Sequence, residues 1–339
     1  MEKPHRYDNK EDILSQLDAL LKNDYLVVQI GFALERIGFF KLLEERGKIN
    51  FKEIVELLKV REDYLRVCTD FLWAASSILE RDKDFFSLKY KTVGRGLWWL
   101  AAYKPVLDNL AGLLTGEKLY GRDVKRIGHY LQKASDLSNQ DAADKALYLL
   151  RNEGGILVDM GCGSAHTLIT YCQEKAGRYG VGIDVDPETV QEARRHVKGA
   201  ALEGSISIVE SDAFEVERWR DAVLKKQKVL FLLNTVLHEF FRNGDEAVAG
   251  FLQELKKEFQ DSKLIIIEFD AWEFSKIKEE KDRNKAAAFY AARYQLVHPL
   301  TDQGMPRSRK EWEDVIKKGG WQVKDIIPAE YNLVIYNCA

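Results

Sequence analysis

The sequence predicts an α/β protein in which a doubly wound, mostly parallel sheet follows a mainly helical amino-terminal region. Three observations carry the prediction. From Gly154 onward short β-branched runs alternate with helical segments, the first run ends in a two-glycine turn that opens a helix, and before Gly116 the apolar residues recur at helical spacing.

In the amino-terminal region, Ile13, Leu17, Leu20 and Leu21 share one helical face, and Ile30, Leu34 and Ile37 share another. Phe51 to Leu58 and Tyr64 to Ile78 then read as two helices, and Phe85, Ser87, Lys89 and Lys91 alternate as a β-wing would. Helix, helix, wing is the order of a winged helix, a unit that binds DNA when its surface is basic. Here Glu53, Glu56, Glu62, Asp63 and Asp70 mix acid through it, so packing or dimerisation is expected instead. Trp98-Trp99, flanked by Leu97 and Leu100, reads as apolar core between domains or subunits. The expected organisation is a winged-helix-like dimerisation domain over 1–115, a helical linker over 116–149 and a ligand-binding domain over 150–339.

Within that last domain five strands are expected, at Ile156 to Asp159, Gly180 to Asp184, Ser207 to Glu210, Val229 to Leu233 and Lys263 to Glu268. Helices between them make the strands parallel through right-handed crossovers. Ligands in such sheets lie beyond the carboxyl ends of the strands, so the residues after each run are the candidates. The Lys- and Glu-rich stretch Lys276 to Lys285 reads as a solvated helix face joined to a lid.

Composition narrows the function. With 46% hydrophobic residues the chain has ample material for a core, and 51 basic against 54 acidic residues leave a net charge of -3. Nothing there resembles the basic face that phosphate neutralisation requires, so nucleic acid is not an expected partner. Cys68, Cys162, Cys172 and Cys338 have neither zinc-site spacing nor a disulfide framework, which fits a reducing cytoplasm. Met1-Glu2-Lys3-Pro4-His5 leads into charged residues rather than an apolar signal core, and no apolar run approaches a membrane span. A cytoplasmic protein with no membrane partner is expected.

The first strand end carries the strongest signal. Asp159-Met160-Gly161-Cys162-Gly163-Ser164-Ala165 turns into a helix near His166; the glycines let backbone approach a ligand, and the helix start offers free N–H groups. Dinucleotide enzymes use such turns too. Here the turn begins with an acid and Ala165 stands at the third glycine position, which suits the cationic methionine end of S-adenosylmethionine better than a pyrophosphate. Asp184 ends the second strand, where a carboxylate holds ribose hydroxyls. Asp212-Ala213 follows the third strand at the place of an adenine amino group. With Asn234 at the fourth strand, Asp159, Gly161, Gly163, Asp184, Asp212 and Ala213 form the expected cofactor set.

These motifs resemble those of the class I, Rossmann-like S-adenosylmethionine-dependent methyltransferases over roughly Leu150 to Ala339. The amino-terminal helices look like the dimerisation domain of the small-molecule O-methyltransferases. A nearer likeness is to the 2-oxo-acid C-methyltransferases, such as those acting on 2-ketoarginine and phenylpyruvate. Tyr120-Gly121-Arg122-Asp123, Val236-Leu237-His238-Glu239, Tyr294 to Thr301, Glu311-Trp312 and Gly319-Gly320-Trp321 carry it.

The chemistry follows from an activated methyl donor: an acceptor must be aligned and, where needed, deprotonated. His238, just past the fourth strand and followed by the acidic Glu239, is the candidate base, as the O-methyltransferase likeness implies; the plain alternative is a helix-capping His. His298 is expected in a loop before the final helix, near Phe289-Tyr290 and Tyr294. His238 and His298 with a carboxylate could ligate a divalent metal or iron that polarises a 2-oxo acid toward its enol, and the phenylpyruvate likeness implies iron; otherwise His298 bonds the substrate directly. Arg122, in the linker, is either a salt bridge to Asp123 or a bidentate substrate clamp, and the likeness favours the clamp. Glu268 and Asp270 follow the fifth strand and either face the same pocket or face water. The expected catalytic set is thus His238, His298, Arg122 and Glu239. The favoured reaction is C-methylation at the β-carbon of a small 2-oxo acid in amino-acid-derived metabolite synthesis, by a homodimer. The alternatives are O-methylation of a small-molecule hydroxyl or carboxyl with His238 as base, and a non-enzymatic regulator that binds the cofactor only as a ligand.

Overall fold

A computed structural model describes residues 24–76, 78–89, 93–223 and 228–339. The helix expected around Ile13 to Leu21 lies outside the described residues. The chain forms two compact units, Met1–Ala101 and Ala102–Ala339.

In the first unit, α1 (Asp24–Arg36) turns through Gly38 into α2 (Phe39–Arg46), which buries Phe39, Phe40 and Leu43. The short strand β1 (Ile49–Asn50) leads into α3 (Phe51–Leu58), whose first turn is capped by the Asn50 side chain accepting the Lys52 N–H at 3.0 Å. Next come α4 (Glu62–Ala75), β2 (Leu79–Asp82) and β3 (Phe85–Leu88), the strands forming an antiparallel sheet in the order β1-β3-β2. Two helices followed by a hairpin is the expected order. The second helix stops at Ala75 rather than Ile78, because the backbone at Ser76 is extended, with φ −143° and ψ 172°. The helix α5 (Val93–Asp108) runs across the unit boundary, and on it the Trp98 indole donates to Glu35 at 2.9 Å.

The second unit begins with α6 (Leu110–Thr115), α7 (Gly128–Ser138) and α8 (Gln140–Leu150). Strand and helix then alternate: β4 (Ile156–Met160), α9 (His166–Glu174), β5 (Tyr179–Asp184), α10 (Pro187–Gly199), β6 (Ile206–Glu210), α11 (Val216–Trp219) and β7 (Val229–Asn234). A 3-10 segment, Leu237–Asn243, precedes α12 (Asp245–Glu258) and β8 (Ser262–Phe269). After α13 (Phe274–Glu280), α14 (Lys285–Leu300) and α15 (Arg309–Lys318) the chain ends in β9 (Val323–Pro328) and β10 (Leu333–Cys338). The sheet order is β6-β5-β4-β7-β8-β10-β9. The five expected strands are parallel and each matches the sequence reading to within one residue at its ends. Helices cover both faces, so β4 and most of β7 are buried, as near-continuous apolar runs require. Strands β9 and β10 were not foreseen, and β10 runs antiparallel to both its neighbours.

The lid segment differs from expectation. His298 is in the last turn of α14, not in a loop. Proline disfavours helical backbone in the residue before it. The helix instead carries Pro299 in its final turn and ends where the Thr301 N–H and hydroxyl both bond the Val297 carbonyl, at 3.0 and 2.8 Å.

Candidate cofactor and substrate site

The site is built at the carboxyl ends of β4, β5, β6 and β7. After β4 the backbone turns back sharply: Gly161 has φ 70° and Gly163 φ 52°. The Gly161 and Cys162 N–H groups both donate to the Ile183 carbonyl, at 2.7 and 3.0 Å, which ties the turn to β5. A Cβ on Gly161 would lie 2.3 Å from Val236 Cγ2, so only glycine lets the turns after β4 and β7 come together. The Asp184 carboxylate is held by two backbone donors, Gly163 N–H at 3.1 Å and Asp186 N–H at 3.0 Å. Asp212 is held likewise by the Phe214 N–H at 2.9 Å.

All seven residues expected to hold the cofactor, Asp159, Gly161, Gly163, Asp184, Asp212, Ala213 and Asn234, line one cavity of about 720 Å³. Asp159 is 3% exposed, and burial, reinforced by the charges of Asp184 and Asp136, pushes its carboxyl up to about 8. A cationic group entering the cavity would relieve that cost. The Asn234 side-chain oxygen is buried with no hydrogen-bond partner, an acceptor left for a ligand. Sequence reasoning missed Gln132, Asp136 and Asn139, from α7 and the junction with α8, which also line the cavity. No motif marks them; their helices reach the site only because the chain folds back over the strand ends.

Beside the cavity wall lies a buried polar cluster. His238, in the 3-10 segment after β7, directs both its backbone N–H and its Nδ1 at the fully buried Glu268 of β8, at 3.1 and 2.8 Å. The two oxygens of Glu268 thereby fix the imidazole and place the shared proton on Nδ1, leaving Nε2 as the acceptor. Burial depresses the His238 pKa, but the Glu268 charge and hydrogen bond outweigh it and hold it above the ordinary value. His298 stands against it, with ring centroids 4.6 Å apart, and Tyr294 packs on His298 at 3.7 Å. Burial, then the charges of His238 and Arg126, keep His298 well below the usual range, so it is neutral. One environment thus separates two imidazoles into a titrating and a neutral member.

Glu239 joins the cluster to the cavity. Its carboxylate accepts from the Arg126 guanidinium and from Arg242 Nη2, the latter at 3.1 Å, and all three residues line the cavity. Burial raises the Glu239 pKa, but Arg126 more than offsets it, so the residue stays ionised. Two guanidiniums on one carboxylate give this wall a net positive charge.

Two expectations are corrected by position. Arg122 does not reach the cavity: its guanidinium pairs with Asp123 at 2.7 Å with the side chain 66% exposed, because the bend closed by Gly121 N–H on the Val124 carbonyl turns it outward. Of these two nearby arginines it is Arg126, four residues on, that lines the cavity, a choice that sequence alone does not make. Glu268 faces neither pocket nor water but His238, and Asp270 accepts the Arg309 N–H at 2.9 Å, capping α15. His238 and His298 do meet, with ring centroids 4.6 Å apart. Among the described residues no group of three or more His, Cys, Asp and Glu side chains is arranged to hold an ion.

No family model matches the chain. It is 25% identical over 169 residues to "Methyltransferase ungE'" of Aspergillus campestris, covering 49% of this chain and 47% of that protein. It is 28% identical over 85 residues to a protein-lysine N-methyltransferase of Saccharolobus islandicus, covering 25% and 50%. The chain thus spans about half the length of the curated relatives it matches. Among solved structures, the mitomycin 7-O-methyltransferase MmcR superposes with TM-score 0.67 at 17% identity over 97% of this chain and 98% of that one. Human N-acetylserotonin methyltransferase, solved with S-adenosylmethionine, gives 0.67 at 15% identity over 98% and 99%. At these identities the likeness is one of fold, and it extends over nearly the full chain: the protein has the class I fold of the S-adenosylmethionine-dependent methyltransferases, in the form built by the small-molecule O-methyltransferases.

Proposed function

We propose that the chain is an S-adenosylmethionine-dependent methyltransferase of a small molecule. The observation that carries this reading is the convergence of Asp159, Gly161, Gly163, Asp184, Asp212, Ala213 and Asn234 on one cavity, next to a histidine oriented by a buried carboxylate. Asp159 faces the cationic amino-acid end, Asp184 the ribose and Asp212 with Ala213 the adenine. The bound cofactor supplies a methyl group already activated for displacement. The chain's own work is to align an acceptor and remove its proton, and the His238 and Glu268 pair is suited to that. With O-methyltransferases among its structural neighbours, the acceptor we favour is a hydroxyl or carboxyl oxygen, deprotonated at Nε2 of His238. Replacing Asp184 with Ala should weaken cofactor binding by about 2–4 kcal/mol if two charge-assisted bonds are lost. Calorimetry showing unchanged affinity would remove Asp184 from the site.

A second reading is C-methylation of a 2-oxo acid through its enol. It is favoured by the net positive wall of Arg126 and Arg242 against Glu239, suited to a carboxylate, and by a neutral His298 beside the base. Mass spectrometry after incubation with methyl-labelled cofactor separates the two. A 2-oxo acid deuterated at the β-carbon should lose deuterium as it is C-methylated; a product that keeps it and carries the methyl on oxygen excludes this second reading.

A further inference from the structure

At Thr235, the first residue after β7, a β-branched side chain sits in left-handed backbone with φ 54°, a conformation its Cβ substituents oppose. The residues on either side are those the site depends on. Asn234 presents its unpartnered oxygen in the cavity wall, Val236 fits against Gly161, and His238 follows two residues later. Something must hold this turn against relaxation.

The Thr235 N–H donates to the Ile267 carbonyl at 2.8 Å, and its hydroxyl donates to the Asn234 carbonyl at 2.7 Å. Neither bond reaches outside the neighbouring strands. The bond that does comes from Asn139, 96 residues earlier, whose side-chain amide donates to Thr235 Oγ1 at 2.8 Å. Asn139 is 5% exposed and lies at the junction of α7 and α8. Its own oxygen accepts the Ser138 hydroxyl at 3.0 Å, so the amide is oriented with its N–H groups toward the turn.

We propose that Asn139 is a positioning residue: its hydrogen bond holds Thr235 in the left-handed turn and thereby sets Asn234 and His238 against the cofactor cavity. This assignment rests on the methyltransferase reading for its catalytic consequence, though not for the geometry. The test uses the full chain in four forms: wild type, Asn139→Ala, Thr235→Gly and the double variant. Glycine adopts the left-handed turn without strain, so in its presence the Asn139 bond has nothing to hold.

Hydrogen–deuterium exchange over residues 234–238 and steady-state methyl transfer are measured together. Asn139→Ala should speed exchange of that segment and lower kcat, each by about tenfold, when residue 235 is Thr. In the Thr235→Gly background the same change should alter neither by more than about twofold. An equal loss in both backgrounds would mean that Asn139 acts through helix packing or through its own place in the cavity wall, and unchanged exchange in Asn139→Ala would mean that the turn holds itself; either overturns the proposal. Failure of the wild-type chain to bind S-adenosylmethionine would sink the methyltransferase reading, while the exchange comparison would still decide the role of Asn139.

Discussion

At His238, two opposing effects decide the chemistry: burial that disfavours the imidazolium and a Glu268 carboxylate at 2.8 Å that favours it. Removing the carboxylate's charge should let burial win. In Glu268→Gln the pH at which activity rises should move downward and kcat should fall by about 10²-fold or more, because both tautomer and basicity are lost. An unchanged pH profile would show that His238 is not the base. Asp159 makes the opposite case. Its folded pKa of about 8 lies above the ordinary value of 3.8, so the folded, unliganded chain holds a proton that the unfolded chain releases. The stabilisation is fully present below 3.8 and is lost as pH rises through about 8. Melting temperature should therefore fall from pH 6 to pH 9 more steeply in wild type than in Asp159→Asn, and binding of the cationic cofactor below pH 8 should release a proton that calorimetry in two buffers detects. Asp159, Asp184 and His238 were legible because each ends or follows a strand. Arg126 and Glu268 were not, since which arginine turns inward and which carboxylate meets a histidine depends on packing between distant elements.

The turns after β4 and β7 act as one element. Gly161→Ala would place a methyl 2.3 Å from Val236 Cγ2 in left-handed backbone, so it should destabilise the fold by about 1–3 kcal/mol and weaken cofactor binding. Denaturant unfolding and calorimetry check the two effects, and a fully stable variant with normal affinity would show that the turns move independently. The parallel strands were readable because burial on both faces forces continuous apolar runs such as Leu230-Phe231-Leu232-Leu233. Strand β9 escaped notice because it lies at the sheet edge, where Lys324 and Asp325 interrupt the run. The final turn of α14 was not legible, since a helix seldom continues through a residue that precedes proline, as His298 does.

For the whole molecule, a ligand that binds only the folded state must stabilise it. S-adenosylhomocysteine at 100 times its Kd should add about 2.7 kcal/mol, seen as a raised Tm, and no shift at saturating concentration would count against the proposed cofactor. The homodimer expected from the amino-terminal region predicts twice the chain mass of 39.0 kDa in light scattering. Exposed Tyr64 and Val67, three residues apart on α4, are apolar surface for such an interface, and a monomer at micromolar concentration would exclude it. The position of β10 sets the order in which the molecule can be assembled. It lies between β8 and β9, both of which precede it in the chain, so β8 has one open row of backbone donors and acceptors until β10 docks. That edge carries Leu264-Ile265-Ile266-Ile267, an uncharged apolar run with three β-branched residues, of the kind that templates pairing between copies. During refolding, a second molecule competes with β10 for it. The yield of refolded monomer units should therefore drop as concentration rises, with the aggregate growing from the most deeply buried strand of the native sheet's far half rather than from any surface of the finished protein.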